Sequence, residues 1–170
     1  SHDVDLLPDG RVGLLIDAAM AFGTGHHGTT LGCLRAFDRL LTDGEEFGDV
    51  ADVGCGTAVL AMAAAKTSDA NVIASDIDPV AVEVAVVNMA TNGMGDAVVC
   101  VTAAGFDDPA LADAAPFDLI FANILKGPLI MLAPDMAKYA KKGGFAILSG
   151  LLNEQADEII AVYARSGFNL

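Results

Sequence analysis

The chain has 170 residues, of which 23 are Asp or Glu and 9 are Lys or Arg, so its formal net charge is −14. A hydrophobic content of 54% excludes a disordered chain, and the length fits one domain with a sizeable core. The excess of acids argues against direct nucleic-acid binding, and the absence of a continuous run of about 20 apolar residues argues against a membrane span.

Short apolar segments alternate with segments of helical character along the chain. The pattern predicts, in order, a helix near 29–41, a strand at 49–53, a helix at 58–66, a strand at 71–75, a helix at 79–92, strands at 97–102 and 117–122, a helix at 128–141, a strand at 145–149 and a helix at 153–166. This alternation predicts an α/β fold with a mostly parallel sheet. Since the strands are apolar throughout, helices are expected on both faces of the sheet.

A glycine-rich turn follows the first predicted strand, in the string D-V-G-C-G-T-A at 52–58. Gly54 and Gly56 lack a Cβ, so the backbone can approach a ligand closely and the next helix can turn its N–H groups toward it. Ligands of open α/β sheets bind at the carboxyl ends of the strands. A tight turn with nothing bound is an equally good interpretation of this motif alone.

An acid, Asp76, ends the next predicted strand, 20 residues after Gly56. In such folds an acid at this place accepts hydrogen bonds from the two hydroxyls of a ribose. The alternative is an N-cap for the helix that begins at Pro79, a role for which Asp78 is the better candidate. The glycine turn and Asp76 together favour a cofactor that contains adenosine.

The spacing within the glycine turn distinguishes between adenosine cofactors. The dinucleotide fingerprint requires a third glycine three residues after the second, and Val59 stands there. This bulky side chain argues against a nicotinamide cofactor and hence against an oxidoreductase. The turn is closer to the G-x-G-x-G type used with S-adenosylmethionine, with Ala58 in place of the last glycine.

Two further segments carry polar groups. Asn123 ends the fourth predicted strand, where its amide can accept a hydrogen bond from a substrate amine; a turn asparagine bonded to backbone is the alternative. The loop F-G-T-G-H-H-G-T-T at 22–30 precedes a helix, and Thr29 or Thr30 can cap that helix or donate to a ligand carboxylate. The adjacent histidines have no partner acid or Cys at ligand spacing, so no metal site is predicted, and the three scattered cysteines are typical of reduced thiols in the cytoplasm.

Five strings together resemble one family in order and spacing. They are A-F-G-T-G-H-H-G-T-T at 21–30, D-V-G-C-G-T-A-V-L-A at 52–61, S-D-I-D-P at 75–79, A-N-I-L-K-G-P-L at 122–129 and G-G-F-A-I-L-S-G-L-L-N-E-Q-A at 143–156. The chain is similar, from about residue 12 to its end, to the bacterial methyltransferases of ribosomal large-subunit protein eleven (the PrmA family). Many members have G-T-G-T-H-P-T-T where this chain has His26 and Gly28.

The resemblance implies a Rossmann-like class I methyltransferase fold that binds S-adenosylmethionine. It also implies methylation of amino groups, the N-terminal amine and lysine side chains, of a basic ribosomal protein to which the acidity of the chain is complementary. The site residues it implies are Asn123 near the transferred methyl group, as catalytic residue, and Phe22, Thr30, Gly54, Gly56, Asp76 and Asn123 around the cofactor.

Residues 1–170 are accordingly expected to form a single catalytic, cofactor-binding domain. Family members also have an N-terminal substrate-recognition domain and further strands after the last helix, so a fragment clipped at both ends is expected. Two other functions remain open. One is a methyltransferase of the same fold that acts on another protein or a small amine, and the other is a cofactor-binding module without turnover.

Overall fold

The computed structural model describes residues 11–16 and 28–170. The helices are α1 (Gly28–Thr42), α2 (Val59–Thr67), α3 (Pro79–Thr91), α4 (Pro109–Ala114), α5 (Lys126–Tyr139) and α6 (Ala156–Arg165), and the strands are β1 (Asp49–Val53), β2 (Asn71–Asp76), β3 (Val98–Thr102), β4 (Phe117–Asn123) and β5 (Ala140–Ser149). In this part of the chain, no helix is long and apolar enough to cross a membrane. The predicted position of Phe22 over a cofactor falls outside the described residues.

The strands form a five-stranded sheet in the order β3-β2-β1-β4-β5. All neighbouring strands pair in parallel, and in the middle of the sheet Val50 of β1 is in register with Val72 of β2 and Leu119 of β4. The chain first moves outward from β1 to β3 and then returns to β4 on the other side. The strand order therefore reverses between β1 and β4, which is the place where such sheets bind ligands.

The core lies on both faces of the sheet because successive strand residues point to opposite sides. On one face Val50 and Phe121 pack with Phe37 of α1 and Met62 of α2. The other face has its own buried cluster, which consists of strand residues with side chains of α4, α5 and α6 (among them Ala51, Ile120, Leu111, Leu129 and Ile159). The prediction of a parallel sheet with helices on both faces is confirmed.

Some boundaries differ from the sequence-based expectation. Helix α4 was not predicted, although Asp108 caps it through a 2.8 Å hydrogen bond from Ala110 N and Pro109 occupies its first turn. Helix α5 runs over Lys126–Tyr139 rather than 128–141, and β5 begins at Ala140 rather than at residue 145. The last helix is preceded by a short 3₁₀ turn at Asn153–Gln155.

Candidate functional site

A cavity of about 990 Å³ opens at the carboxyl edge of the sheet, where the strand order reverses. Its volume lies at the upper end of the range for small-molecule and cofactor sites. The predicted site residues that lie within the described part of the chain all line it: Thr30, Gly54, Gly56, Asp76 and Asn123. The structure therefore brings together residues that are up to 93 positions apart in the sequence.

The glycine turn after β1 is shaped by close contact with the loop after β4. Gly54 has φ +73°, and a Cβ built on it would lie 2.3 Å from Cγ2 of Ile124. Gly150 approaches the backbone of Ile124: it has φ +85°, and a Cβ there would lie 2.3 Å from the Ile124 carbonyl oxygen. Any side chain at position 54 or 150 would displace this wall of the cavity. The role of Gly150 was not predicted, although a glycine directly after a strand is a signal for such close packing.

The turn is also fixed to the neighbouring strand. The backbone N–H groups of Gly54 and Cys55 both donate to the carbonyl oxygen of Ser75 at the end of β2, at 2.8 and 2.9 Å. At the start of α2, Ala58 adopts a left-handed conformation with φ 59° and ψ 24°. The replacement of glycine by Ala58 therefore falls at a position where the backbone favours glycine.

Asp76 holds the glycine turn from the end of β2. Its Oδ2 accepts a 2.9 Å hydrogen bond from Gly56 N, and its Oδ1 accepts one of 3.0 Å from Asp78 N. Asp78 caps α3 by accepting from Val80 N at 2.9 Å, with Pro79 at the first helical position. The assignment of the cap to Asp78 is thus confirmed. Each Asp76 oxygen retains a lone pair, so the carboxylate can still accept from a ligand hydroxyl.

Asn123 lines the cavity and has an unpaired acceptor. Its Nδ2 donates to Oγ1 of Thr30 at 3.3 Å, and Thr30 is completely buried. Its Oδ1 is buried and has no hydrogen-bond partner among the described residues. A buried acceptor left unpaired costs about 1 to 3 kcal/mol, so this oxygen is a place where a ligand donor would be stabilising.

The start of α1 contributes a second unpaired group. Ser149 Oγ at the end of β5 donates to the carbonyl oxygen of Thr29 at 3.3 Å, which fixes the first turn of the helix. The hydroxyl of Thr29 is buried and, within the described residues, has no partner. The sequence offered Thr29 only as an alternative to Thr30, either as the cap of this helix or as a donor to a ligand carboxylate. The structure shows that both threonines line the cavity, with Thr30 bonded to Asn123 and Thr29 unpaired.

Asp52 also lines the cavity and was not predicted as a site residue. Its Oδ2 accepts a 3.0 Å hydrogen bond from Ala61 N. Burial raises the pKa of Asp52 to about 7; the Ala61 N–H acts in the opposite direction, and the negative charge of Asp76 raises the pKa further. A second acid within the short strand D-V-A-D-V, between apolar residues and next to the glycine turn, is the sequence signal that could have identified it.

The described residues contain no group of three or more His, Cys, Asp or Glu side chains placed to hold a metal ion. His26 and His27 lie outside the described residues. The polar groups around the cavity are thus three carboxylates, those of Asp52, Asp76 and Asp135, together with an amide oxygen, two hydroxyls and the backbone of the glycine turn. Such a set suits an organic ligand with hydroxyl, amine and carboxylate groups.

Comparisons with known proteins agree with this geometry. The sequence model of the ribosomal protein L11 methyltransferase (PrmA) family matches residues 3–170. A protein from Brucella abortus (strain S19) named ribosomal protein L11 methyltransferase is 46% identical over 167 residues, which are 98% of this chain and 58% of that protein. The chain thus spans a little more than half the length of the curated relatives it matches.

Solved structures show the same fold. The crystal structure of a ribosomal protein L11 methylase from Lactobacillus delbrueckii subsp. bulgaricus has a TM-score of 0.80 at 32% identity, over 91% of this chain and 75% of that one. A precorrin-6y C5,15-methyltransferase from Geobacter metallireducens is 16% identical with a TM-score of 0.68, over 85% and 74% of the two chains, and supports the fold alone. The fold is therefore the Rossmann-like class I methyltransferase fold, and the chain belongs to the ribosomal protein L11 methyltransferase (PrmA) family.

Proposed function

We propose that this protein is an S-adenosylmethionine-dependent N-methyltransferase that acts on amino groups of ribosomal protein L11, namely lysine side chains and the N-terminal amine. The observation that carries the proposal is the buried, unpaired Oδ1 of Asn123 in the cavity at the carboxyl edge of the sheet. An acceptor at this place suits a substrate that brings a hydrogen-bond donor, as an amine does.

The residues around the cavity fit S-adenosylmethionine, the cofactor of this family and fold. Gly54 allows Ile124 to pack against the turn, since a Cβ there would lie 2.3 Å from Ile124 Cγ2, and the backbone of the turn lines the cavity where the cofactor would bind. Asp76 has lone pairs for the ribose hydroxyls, and the unpaired hydroxyl of Thr29 can donate to the carboxylate at the methionine end. When bound, the cofactor supplies an electrophilic methyl group.

The chain's own residues would act mainly by positioning the amine. An amine attacks only when it is neutral, and a lysine has an ordinary pKa of about 10.4, so the apolar cavity has to favour the neutral form. Asn123 is uncharged and accepts one N–H through its Oδ1, which directs the nitrogen lone pair without strongly stabilising the ammonium form. Orientation of this kind can account for a large part of the rate of a displacement reaction.

The direct test is methyl transfer to purified ribosomal protein L11 from a cofactor with an isotopically labelled methyl group, followed by mass spectrometry of the modified positions. We expect label on lysine Nζ atoms and on the N-terminal nitrogen. Label on a small amine or on another protein, with none on ribosomal protein L11, would favour a different substrate. Cofactor binding without transfer to any amine would favour a module without turnover.

The cofactor assignment has its own test in two neighbouring acids. We expect Asp76→Ala to weaken S-adenosylmethionine binding in calorimetry by about tenfold or more, since charged hydrogen bonds contribute about 1.5 to 3 kcal/mol. Asp78→Ala is the matched control: it removes the N-cap of α3 and should cost about 1 kcal/mol of stability with little change in affinity. Equal affinities of the wild type and Asp76→Ala would reject the ribose role.

The setting that accompanies this proposal is the cytoplasm, with a basic ribosomal protein as the partner. Two observations support it: the cysteines at 33, 55 and 100 are all free, and the net charge of −14 is complementary to a basic protein. The same excess of acids supports a protein substrate over direct binding to nucleic acid.

A further inference from the structure

Four large apolar side chains that line the cavity are exposed, and three of them follow β4 and β5 in the chain, whereas the fourth, Ile77, follows β2. Leu125, Met131 and Leu152 expose 73%, 80% and 60% of their surface, and all three line the cavity. Single exposed apolar residues are common, but several around one opening mark a surface that contacts another molecule. None of the three is among the residues assigned above to the proposed cofactor.

One acid lies among these apolar side chains. Asp135 of α5 is exposed and lines the same cavity, four residues after Met131 and therefore on the same face of the helix. Lys126, at the start of α5, is paired with Glu158 at 2.9 Å, so its positive charge is matched within the protein. The opening thus combines apolar surface with the negative charge of Asp135.

We propose that this mouth, formed by Leu125, Met131, Leu152 and Asp135, docks a protein segment that presents a lysine between apolar side chains. The inference rests on the proposed function, since Asn123 inside the cavity is the acceptor that the lysine amine would reach. The aliphatic stem of the lysine and its apolar neighbours pack on the exposed Leu and Met side chains. Asp135 attracts the ammonium group as it approaches, in a protein whose net charge of −14 favours a basic partner.

The test uses short fluorescent peptides whose binding is measured by anisotropy. The probe has one lysine between two leucines in a Gly/Ser background; one counterpart has Gln in place of the lysine, and the other has Ser in place of the leucines. We expect the wild type to prefer the probe about threefold over the Gln peptide and about tenfold over the Ser peptide.

Variants assign each preference to its side chain. Asp135→Asn should abolish only the preference for the lysine peptide over the Gln peptide. The double variant Met131→Gln, Leu152→Gln should abolish only the preference for the leucine peptide over the Ser peptide. The matched controls are Glu83→Gln and Val86→Gln on α3, two exposed residues outside the cavity, which should retain both preferences. The absence of any preference in the wild type, or its persistence in the mouth variants, would overturn the proposal.

Two further outcomes separate this inference from its alternatives. Sedimentation that shows a dimer, dissociated by Met131→Gln, together with no peptide preference, would assign the mouth to a second copy of the chain. Methyl transfer is measured separately by mass spectrometry. The predicted peptide preferences without transfer to any amine would refute the proposed function and support the docking surface, whereas transfer with equal kcat/KM in the wild type and the mouth variants would refute the docking surface alone.

Discussion

The aspartate at the amino edge of the sheet and the aspartate at its carboxyl edge have opposite environments. At the amino edge, Asp118 accepts hydrogen bonds from Gly48 N at 2.9 Å, from Asp49 N at 3.1 Å and from Lys141 Nζ at 2.7 Å. At the carboxyl edge, Asp52 accepts a hydrogen bond from Ala61 N, at 3.0 Å, and is completely buried. The first carboxylate is surrounded by donors on three residues, whereas the second faces a cavity.

The pKa values of the two groups reflect this difference. Partial burial pushes the pKa of Asp118 upward, but the hydrogen bonds from Lys141, Asp49 and Gly48 outweigh it and the pKa is lowered. Burial raises the pKa of Asp52 to about 7. The amino edge is therefore arranged for stability. The carboxyl edge, where the Asn123 and Thr29 side chains also have unpaired atoms, gives up stability for binding.

The largest contrast between the edges is expected from two asparagines. Asn123→Ala should lower turnover about 100-fold, because the amine loses the acceptor that orients it, while cofactor affinity changes much less. Asn71→Ala is the matched control at the amino edge, where its Nδ2 donates to Asp49 Oδ1 at 3.1 Å, and turnover should change less than about twofold. Steady-state kinetics and calorimetry measure the two quantities. Loss of affinity equal to the loss of turnover would remove the orienting role of Asn123.

The two aspartates predict opposite pH dependence of stability. Between about pH 4 and about pH 7 the folded protein retains the Asp52 proton that the unfolded chain has released, so the free energy of unfolding falls as the pH rises through this window. Asp52→Asn should abolish this fall and stabilise the protein by about 2 to 4 kcal/mol above pH ~7.5. Asp118 contributes stability that is present above its unfolded pKa and is lost as the pH falls through the lowered folded pKa.

Urea unfolding at a series of pH values measures both effects. Asp118→Asn should lower stability near neutral pH and weaken the loss of stability in acid, without changing the window assigned to Asp52. A wild-type free energy of unfolding that stays constant between about pH 4 and about pH 7, and an Asp52→Asn variant that matches it, would show that the buried carboxylate does not carry the predicted penalty.

A smaller effect is expected from the residue that holds Asn123. Thr30→Val keeps the shape of the side chain but removes the Oγ1 that accepts from Asn123 Nδ2, so the amide loses its fixed orientation. We expect kcat to fall about tenfold and Thr30→Ser to restore it, since one hydrogen bond contributes about 1 kcal/mol or somewhat more. In an Asn123→Ala background the Thr30→Val change should have little further effect on kcat. A loss that appears only in cofactor affinity would instead assign Thr30 to the cofactor.

The fold could be predicted from the sequence where local signals are strong. The Asp78-Pro79 pair marks the start of α3, and the same pair at Asp108-Pro109 marks α4, but six residues are too few to show helical periodicity. The charged, glycine-rich segment 141–144 does not resemble a strand. It belongs to β5 because Ala140, before it, pairs with Phe117 of β4 and Phe145, after it, pairs with Leu119. The register between the two strands is therefore irregular between these two pairs.

Most residues of the candidate site could be predicted from the sequence, but the contacts between them could not. Asp76 ends β2 and Gly56 lies in the turn after β1. Parallel pairing brings these two strand ends to one edge, and the 2.9 Å hydrogen bond between the two residues is a consequence of that topology. The orientation of Asn123 depends on Thr30, 93 residues earlier, and no local pattern contains that information. The pKa of Asp52 depends on complete burial under α2, which also emerges only in three dimensions.

The smallest predicted difference concerns two buried alanines of one segment. Ala58 is left-handed at the start of α2, a conformation that costs an L-residue about 1 to 2 kcal/mol, whereas Ala64 lies within the helix. Ala58→Gly should therefore change the free energy of unfolding by less than about 0.5 kcal/mol, since relief of this strain offsets both the flexibility of glycine and the loss of the buried methyl group. Ala64→Gly should cost about 1 to 2 kcal/mol, because it loses helix propensity and a buried methyl group. Equal losses in urea unfolding would mean that the left-handed turn at Ala58 stores no strain, and that the carboxyl edge gives up stability only through its unpaired polar groups.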